Sequence, residues 1–403
     1  MSKEKQILDT FETTFSSYEE MHDYHHENTQ NSIWRKAKIG SFNAFPLVRD
    51  SDGEIKNGLM CNPDQVSKEA IDDTADNTRI GLRLKLLPEY NGEGLFTETV
   101  YEEEVVYLPL RDAAVRSMLD RAKISGFSLQ KLSPLDLCFV LNKCFELYPD
   151  SESLVLIRDE KITACHSDGY AVLPIDELLD ALVTSLEENF GVVDFTKGYT
   201  SHSFVTADFS LKHATNMLKS YTDKLKKMGR TAMANNLVPA VKFSSSDTGV
   251  SAARCTAYLT GNGAPIAIGS ALEVEHKGKA SVAGFGTKVD QLFAQFDKSL
   301  AKLEKLMDID IIYPISCMER VCRYLKLPKK ASLEAVSQFE MTNGDEPCTA
   351  HDIYLALQEI PFLYRTGSDV KVSQLTVFNY EENVARALSI DWKQHDVMKR
   401  VSW

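Results

Sequence analysis

The chain has 403 residues, 43% apolar and 26% charged, with 45 Lys and Arg against 58 Asp and Glu for a formal charge of −13. Its length exceeds what one hydrophobic core usually spans, so two lobes or one elaborated body is expected, and the composition excludes collagen-like, low-complexity and wholly disordered classes. The negative balance excludes adhesion to nucleic acid over the whole surface, so a phosphate-binding role needs local basic patches.

The first stretch, residues 1–79, reads as a polar, partly irregular region, with a mobile helix over Lys5–Tyr24 followed by loops. A body of residues 80–403, of one or two lobes, follows it. Ile80, Leu82, Leu84 and Leu86 alternate with polar neighbours and predict a half-buried strand. Thr97–Tyr107 is β-rich with an acidic middle, predicting a hairpin or a charged edge. Arg111–Ile124 and Leu135–Leu147 read as helices, the second opened by Ser133-Pro134. Ser153–Arg158 and Lys161–Cys165 flank an Asp159-Glu160 turn and predict a hairpin, and Asp176–Glu188 predicts a helix.

After a strand at Ser203–Phe209, the apolar positions Leu211, Ala214, Leu218, Tyr221, Leu225 and Met228 recur at spacings of three and four. They predict one amphipathic helix closed by Gly229. Strands are expected at Leu237–Phe243, Ser251–Leu259 and Pro265–Val274, with turns at Ser245–Gly249 and Gly261-Asn262-Gly263. A long helix through Val289–Met307, a shorter one at Glu319–Leu327, a capping-box start at Thr349–Asp352 and a last helix at Glu381–Ile390 complete the pattern. Strand runs joined by hairpin turns, with helices between them, favour α+β with a mainly antiparallel sheet over a doubly wound parallel one.

Chemistry-bearing motifs are sparse. There is no phosphate-binding loop of the G-x-x-x-x-G-K-[ST] type, no G-x-S-x-G and no H-E-x-x-H. The eight cysteines form no C-x-x-C pair and are expected to be reduced and mostly buried. His22, Asp23, His25, His26 and Glu27 are the densest ligand-type cluster, but they sit in a polar stretch with no apolar shell to fix the imidazoles, so no metal or cofactor is expected. Cys165 and His166 are strand neighbours whose side chains point to opposite faces, which argues against a nucleophile–base pair. The Lys277–Lys288 stretch, with Gly278, Gly284 and Gly286, offers a minority reading as a phosphate-cradling loop.

The cations carry the main expectation. Lys212, Lys219 and Lys226 recur every seven residues beside the apolar stripe, with Lys227 and Arg230 at its end and Lys242, Arg254, Lys277 and Lys279 close behind in sequence. Such a column suits the phosphates of a single strand, although dipole complementarity and snorkelling explain lysines there equally well. A second basic segment runs Arg320, Arg323, Lys326, Lys329 and Lys330.

Arg158–Tyr170, with Ser167, Asp168 and Tyr170, and Ser244–Ala253, with Ser246, Asp247 and Gly249, resemble two signatures of the phage/plasmid-like protein family, a domain of unknown function found on phages and plasmids. Thr349–Leu357 and Asn383–Leu388 resemble its C-terminal helical pair. The opening departs from that family, since Ile33-Trp34-Arg35 poorly matches its usual aromatic-histidine motif, and Tyr258–Gly263 replaces a further segment. The resemblance implies a divergent mobile-element protein in the cytoplasm of a bacterial host, with a role in DNA metabolism or against host defence. The expectation is a non-enzymatic accessory protein that binds single-stranded DNA as a homo-oligomer and has no membrane partner. Its rival is an inhibitor that contacts a defence protein. The Ser-Asp turns are expected to close the backbone first and to bind a ligand only second.

Overall fold

The computed structural model describes residues 6–90, 100–261, 263–269, 271–368 and 372–403. The fold is α+β, and every named strand pair in it is antiparallel. Thr97, Glu98 and Thr99 of the expected acidic hairpin, and Asn262 of the glycine turn, lie outside the described residues.

Two sheets organise the chain around two apolar cores. The six-stranded sheet is built from Ile33–Lys38, Asn43–Pro46, Ile80–Leu86, Glu104–Pro109, Glu152–Arg158 and Lys161–Ser167. Leu82, Leu84, Val106, Leu108 and Val155 bury one side of it against the helices Asp112–Arg121 and Pro134–Phe145. The seven-stranded sheet runs Glu12–Phe15, Asp194–Ser201, Val205–Ser210, Val238–Ser245, Ala253–Thr260 and Ile266–Ala267, with Leu272–Val274 also paired to Ala253–Thr260. Its core is closed by the helices Ile175–Phe190 and Val282–Leu306 and by the C-terminal helices.

Local chemistry explains most of these elements. Ser133 accepts the Asp136 N–H at 3.2 Å and Pro134 opens the next turn, the cap-then-proline start read from sequence. The hairpin at residues 152–167 turns on Asp159 and Glu160 at φ +49° and +63°, the two left-handed positions of a type I′ turn. Neither residue is glycine, and tertiary contacts hold both: Glu160 accepts the Ser67 N–H at 2.6 Å, and Asp159 lies 3.7 Å from Arg111. Thr349 and Asp352 form the expected capping box at the start of Ala350–Leu357.

Three expectations fail. The N-terminal region is more regular than expected, although residues 47–67 are largely turns and loops, and its strands join both sheets across the boundary at residue 80. Residues 12–15 pair with the seven-stranded sheet and residues 33–38 and 43–46 with the six-stranded one. The helix there is Tyr18–Gln30, capped by Ser17, and its polar composition hides a buried stripe of Met21, His25 and Asn28.

The single helix expected from Leu211 to Met228 is two pieces, a 3₁₀ segment Lys212–Leu218 and an α-helix Lys219–Lys227. Ala214 is non-helical there at φ −100° and ψ 15°. The weak helix formers His213, Thr215 and Asn216 fill that turn, and the Leu211 N–H is drawn to the Pro239 carbonyl at 2.9 Å, so apolar periodicity outran the backbone. The glycine-rich stretch after Lys279 is the first turn of Val282–Leu306, where Ser281 accepts the Gly284 N–H at 3.1 Å. No helix among the described residues is long and apolar enough to cross a membrane.

Candidate functional site

The predicted cations do not form one ridge. Lys212 lies 3.2 Å from Asp194, and Arg230 is bound to Asp352. Lys242 is held by Glu381 at 2.5 Å, Arg254 by Glu273 at 3.3 Å and Glu382 at 2.9 Å, and Lys277 by Glu275 at 3.0 Å. All of these carboxylates but Glu275 lie 18 or more positions away in the chain, and together they pair with five of the nine expected contacts. Lys219, Lys226, Lys227 and Lys279 are exposed, with no ion pair among the described residues. Lys219, Lys226 and Lys227 sit on the helix whose Lys224 reaches Asp308 and the Glu304 carbonyl, at the far end of Val282–Leu306 from Lys277 and Lys279. The second basic segment is also structural in part: Arg320 and Arg323 donate to the Lys399 and Ser402 carbonyls, and Lys330 to that of Gly367.

The ligand-type cluster near the N-terminus likewise splits. His22 lies 3.2 Å from Asp180 and His26 2.9 Å from Asp176, whereas His25 turns into the interior, where burial holds its imidazole at about 4.

What the fold does assemble is a cleft of about 400 Å³ at the seam of the two sheets. One wall is the helix Asp112–Arg121, through Arg116, Ser117, Asp120 and Arg121, and the end of the Lys161–Ser167 strand. The other is the turn at residues 248–252 with Arg254, Glu273, Glu275, His276 and Lys277. Of the nine predicted residues, Arg254 and Lys277 line this cleft.

The two stretches that carry the family resemblance meet here. Arg158 lies 2.6 Å from the Asp247 carboxylate, and the His166 Nε2–H donates to the Asp247 carbonyl at 2.8 Å. The Tyr170 hydroxyl donates to the same carbonyl at 3.3 Å. Ser246 Oγ accepts the Thr248 N–H at 3.1 Å, and Gly249 sits at φ +72°, so the Ser-Asp-x-Gly turn has the backbone-closing role expected of it. A Cβ at Gly249 would stand 2.9 Å from His166 Cε1, a second reason for glycine at the cleft wall.

Behind that turn the rings are stacked. His166 and Tyr170 lie 3.7 Å apart between centroids and 5° from parallel, and Tyr170 and His276 lie 5.2 Å apart and 6° from parallel. Trp34 leans on both His166 and Tyr170 at 6.0 and 5.8 Å. Burial holds the His166 imidazole at about 4 and lowers that of His276, so both are neutral near pH 7. Donation from Nε2 leaves the His166 Nδ1 as an acceptor with no donor among the described residues. His276 Nδ1–H donates to the Ala171 carbonyl at 3.3 Å, which leaves its Nε2 to accept from the Ser245 hydroxyl at 3.4 Å. Burial raises the Tyr170 phenol, and it pushes the Cys165 thiol up to about 12, so neither is an anion at neutral pH.

Among the described residues, two guanidinium groups at the site have no counterion. Arg116 and Arg121 have no carboxylate within 4.0 Å among the described residues, and Arg121 Nε is buried without a hydrogen-bond partner. Trp34, Arg116, Arg121 and His276 escaped the sequence reading. The one available signal was Arg116, Ser117, Asp120 and Arg121 falling at i, i+1, i+4 and i+5 on one helix face. No protein-family model matches the chain, and no curated protein or solved structure does either.

Proposed function

We propose that this protein is a non-enzymatic nucleic-acid-binding accessory protein that engages single-stranded DNA at the cleft between its sheets. The observation that carries the reading is the pairing of a neutral ring stack, His166, Tyr170 and His276, with the counterion-free guanidinium groups of Arg116 and Arg121. Guanidinium groups take phosphate oxygens, and a rigid neutral ring wall beside them suits the exposed base of a single strand better than a stacked duplex. The high thiol and phenol pKa values and the low imidazole ones fit holding a ligand rather than turning it over. The resemblance to a phage and plasmid family adds a mobile-element setting to this reading.

The test is binding of a labelled single-stranded oligonucleotide across a salt series. Affinity falling as salt rises, and falling further in Arg116→Glu and Arg121→Glu, is the expected result. Folded protein in excess that gives no shift at low salt ends the reading. The rival role, contact with a defence protein, has no feature of the cleft in its favour.

A further inference from the structure

We infer that the cleft is one nucleotide deep and recognises a nucleoside monophosphate unit, either free or as the 5′-phosphorylated end of a strand; this rests on the nucleotide-binding reading above. Size argues first. A cleft of about 400 Å³ lies at the low end of ligand sites and holds one base, sugar and phosphate, not a run of nucleotides.

Charge argues second, and it decides the number of phosphates. Four cations, Arg116, Arg121, Arg254 and Lys277, line the cleft against three carboxylates, Asp120, Glu273 and Glu275. Arg254 and Lys277 are already matched by Glu273 and Glu275, which leaves the Arg116 and Arg121 guanidinium groups as the open anion site. With Asp120 counted, the four cations and three carboxylates leave an excess of one positive charge, which meets much of the about −1.5 to −2 of a phosphate monoester at neutral pH. A triphosphate, or several consecutive phosphodiesters, would bring further negative charge onto Asp120, Glu273 and Glu275 with no free cation in the cleft to meet it.

The rings argue third. His166 and His276 are neutral, nearly buried and fixed in orientation by Asp247, Ala171 and Ser245, so the edge they give the cleft wall is rigid and needs no reorganisation. The free Nδ1 of His166 is an acceptor suited to an exocyclic amine or a sugar hydroxyl, and Asp120 is a second acceptor at the same cleft. Arg121 and His166 line the same cleft, which puts the anion site beside the ring wall.

Isothermal titration of the full chain with adenosine 5′-monophosphate, adenosine, inorganic phosphate and adenosine triphosphate tests this. The monophosphate is expected to bind at least tenfold more tightly than adenosine or phosphate alone, and more tightly than the triphosphate. Arg116→Gln and Arg121→Gln, with unchanged circular dichroism and thermal melting, should each weaken it about tenfold or more, the loss of one charge-assisted contact. A triphosphate that binds as well as the monophosphate, phosphate that matches the nucleotide, or arginine variants that bind normally would overturn the inference. Competition between the monophosphate and a 5′-phosphorylated oligonucleotide, absent for the dephosphorylated strand, identifies the strand end as the source. Monophosphate binding without such competition identifies the free nucleotide. An oligonucleotide that binds while no mononucleotide does sinks this inference and leaves strand binding standing; if nothing binds, both fall.

Discussion

Acid should destabilise this protein well before its carboxylates titrate, because buried imidazoles, three of them with strong shifts to about 4, are held neutral in the folded state. Burial places His25, His166 and His351 at about 4, against 6.5 for a free imidazole. His25 Nε2 has no hydrogen-bond partner among the described residues to welcome a proton. His351 Nδ1 accepts from the Arg230 guanidinium at 3.0 Å, so protonation there sets two cations face to face. In each case the unfolded chain binds the proton more readily, so the stabilisation is whole above pH 6.5 and drains away as pH falls toward 4. Between pH 7.5 and 5.5 each such imidazole removes about 1.3 kcal/mol, and the three together about 4 kcal/mol. That is a large part of the ~5–15 kcal/mol that holds an ordinary domain together.

Urea denaturation at the two pH values measures the loss. His25→Phe isolates one contribution, since His25 packs 5.1 Å from the Tyr24 ring and 6.4 Å from the Phe15 ring, surroundings that a phenyl group suits. Its pH dependence should shrink by about 1.3 kcal/mol relative to the parent, a difference in which all other titrating groups cancel. Equal stability at pH 7.5 and 5.5, or a His25→Phe variant with the parent's slope, would refute the reasoning.

Three further outcomes follow from particular contacts. Lys161 is fully buried between Asp9 and Asp73, so Lys161→Met leaves Asp9 to Arg111 but strips Asp73 of its cation and should cost about 3–5 kcal/mol in urea denaturation, with partial recovery on adding Asp73→Asn. Gly249→Ala combines a φ of +72° with a Cβ 2.9 Å from His166 Cε1; a loss of about 1–3 kcal/mol by thermal melting and weaker oligonucleotide binding are expected. Reversing Lys219 and Lys226 to Glu should leave oligonucleotide affinity unchanged at physiological salt. The 25-residue helix that separates them from the cleft is about 37 Å long, several times the Debye length of about 8 Å. A steep loss of affinity in that variant would return the binding face to the lysine helix.

The sequence showed elements whose signals are local and missed those set by distant partners. The Ser133-Pro134 start and the Thr349 capping box depend on residues within a few positions, and the hairpin at residues 152–167 shows its strand pattern locally although Ser67 and Arg111 hold its turn; each is present. The helix expected over Lys5–Tyr24 is Tyr18–Gln30, and its true extent went unseen because its buried stripe includes His25 and Asn28, which count as polar in any periodicity. The lysine ridge was over-read for the converse reason. Asp194, Glu381, Glu382 and Asp352, which neutralise Lys212, Lys242, Arg254 and Arg230, are 18 to 139 positions away and give no sign of it locally. Of the site, the Ser-Asp turns were visible, but their meeting across Arg158 and Asp247 and the ring stack they support were not.

That meeting explains why the cleft lies where it does. Each wall belongs to a different apolar core, and neither core can extend across the seam without burying the unpaired sheet ends. Polar links bridge it instead: Arg158 to Asp247, His166 to the Asp247 carbonyl, the Ala171 N–H to the His276 carbonyl at 3.1 Å, and the Gly278 N–H to the Gly169 carbonyl at 3.0 Å. A seam held by directional bonds keeps its two walls at a fixed spacing while leaving room between them, which side-chain packing at interior density would have filled. The groups that order the junction are therefore the same ones that shape the ligand's wall, so a change at Asp247 or His166 must act on folding and on binding together.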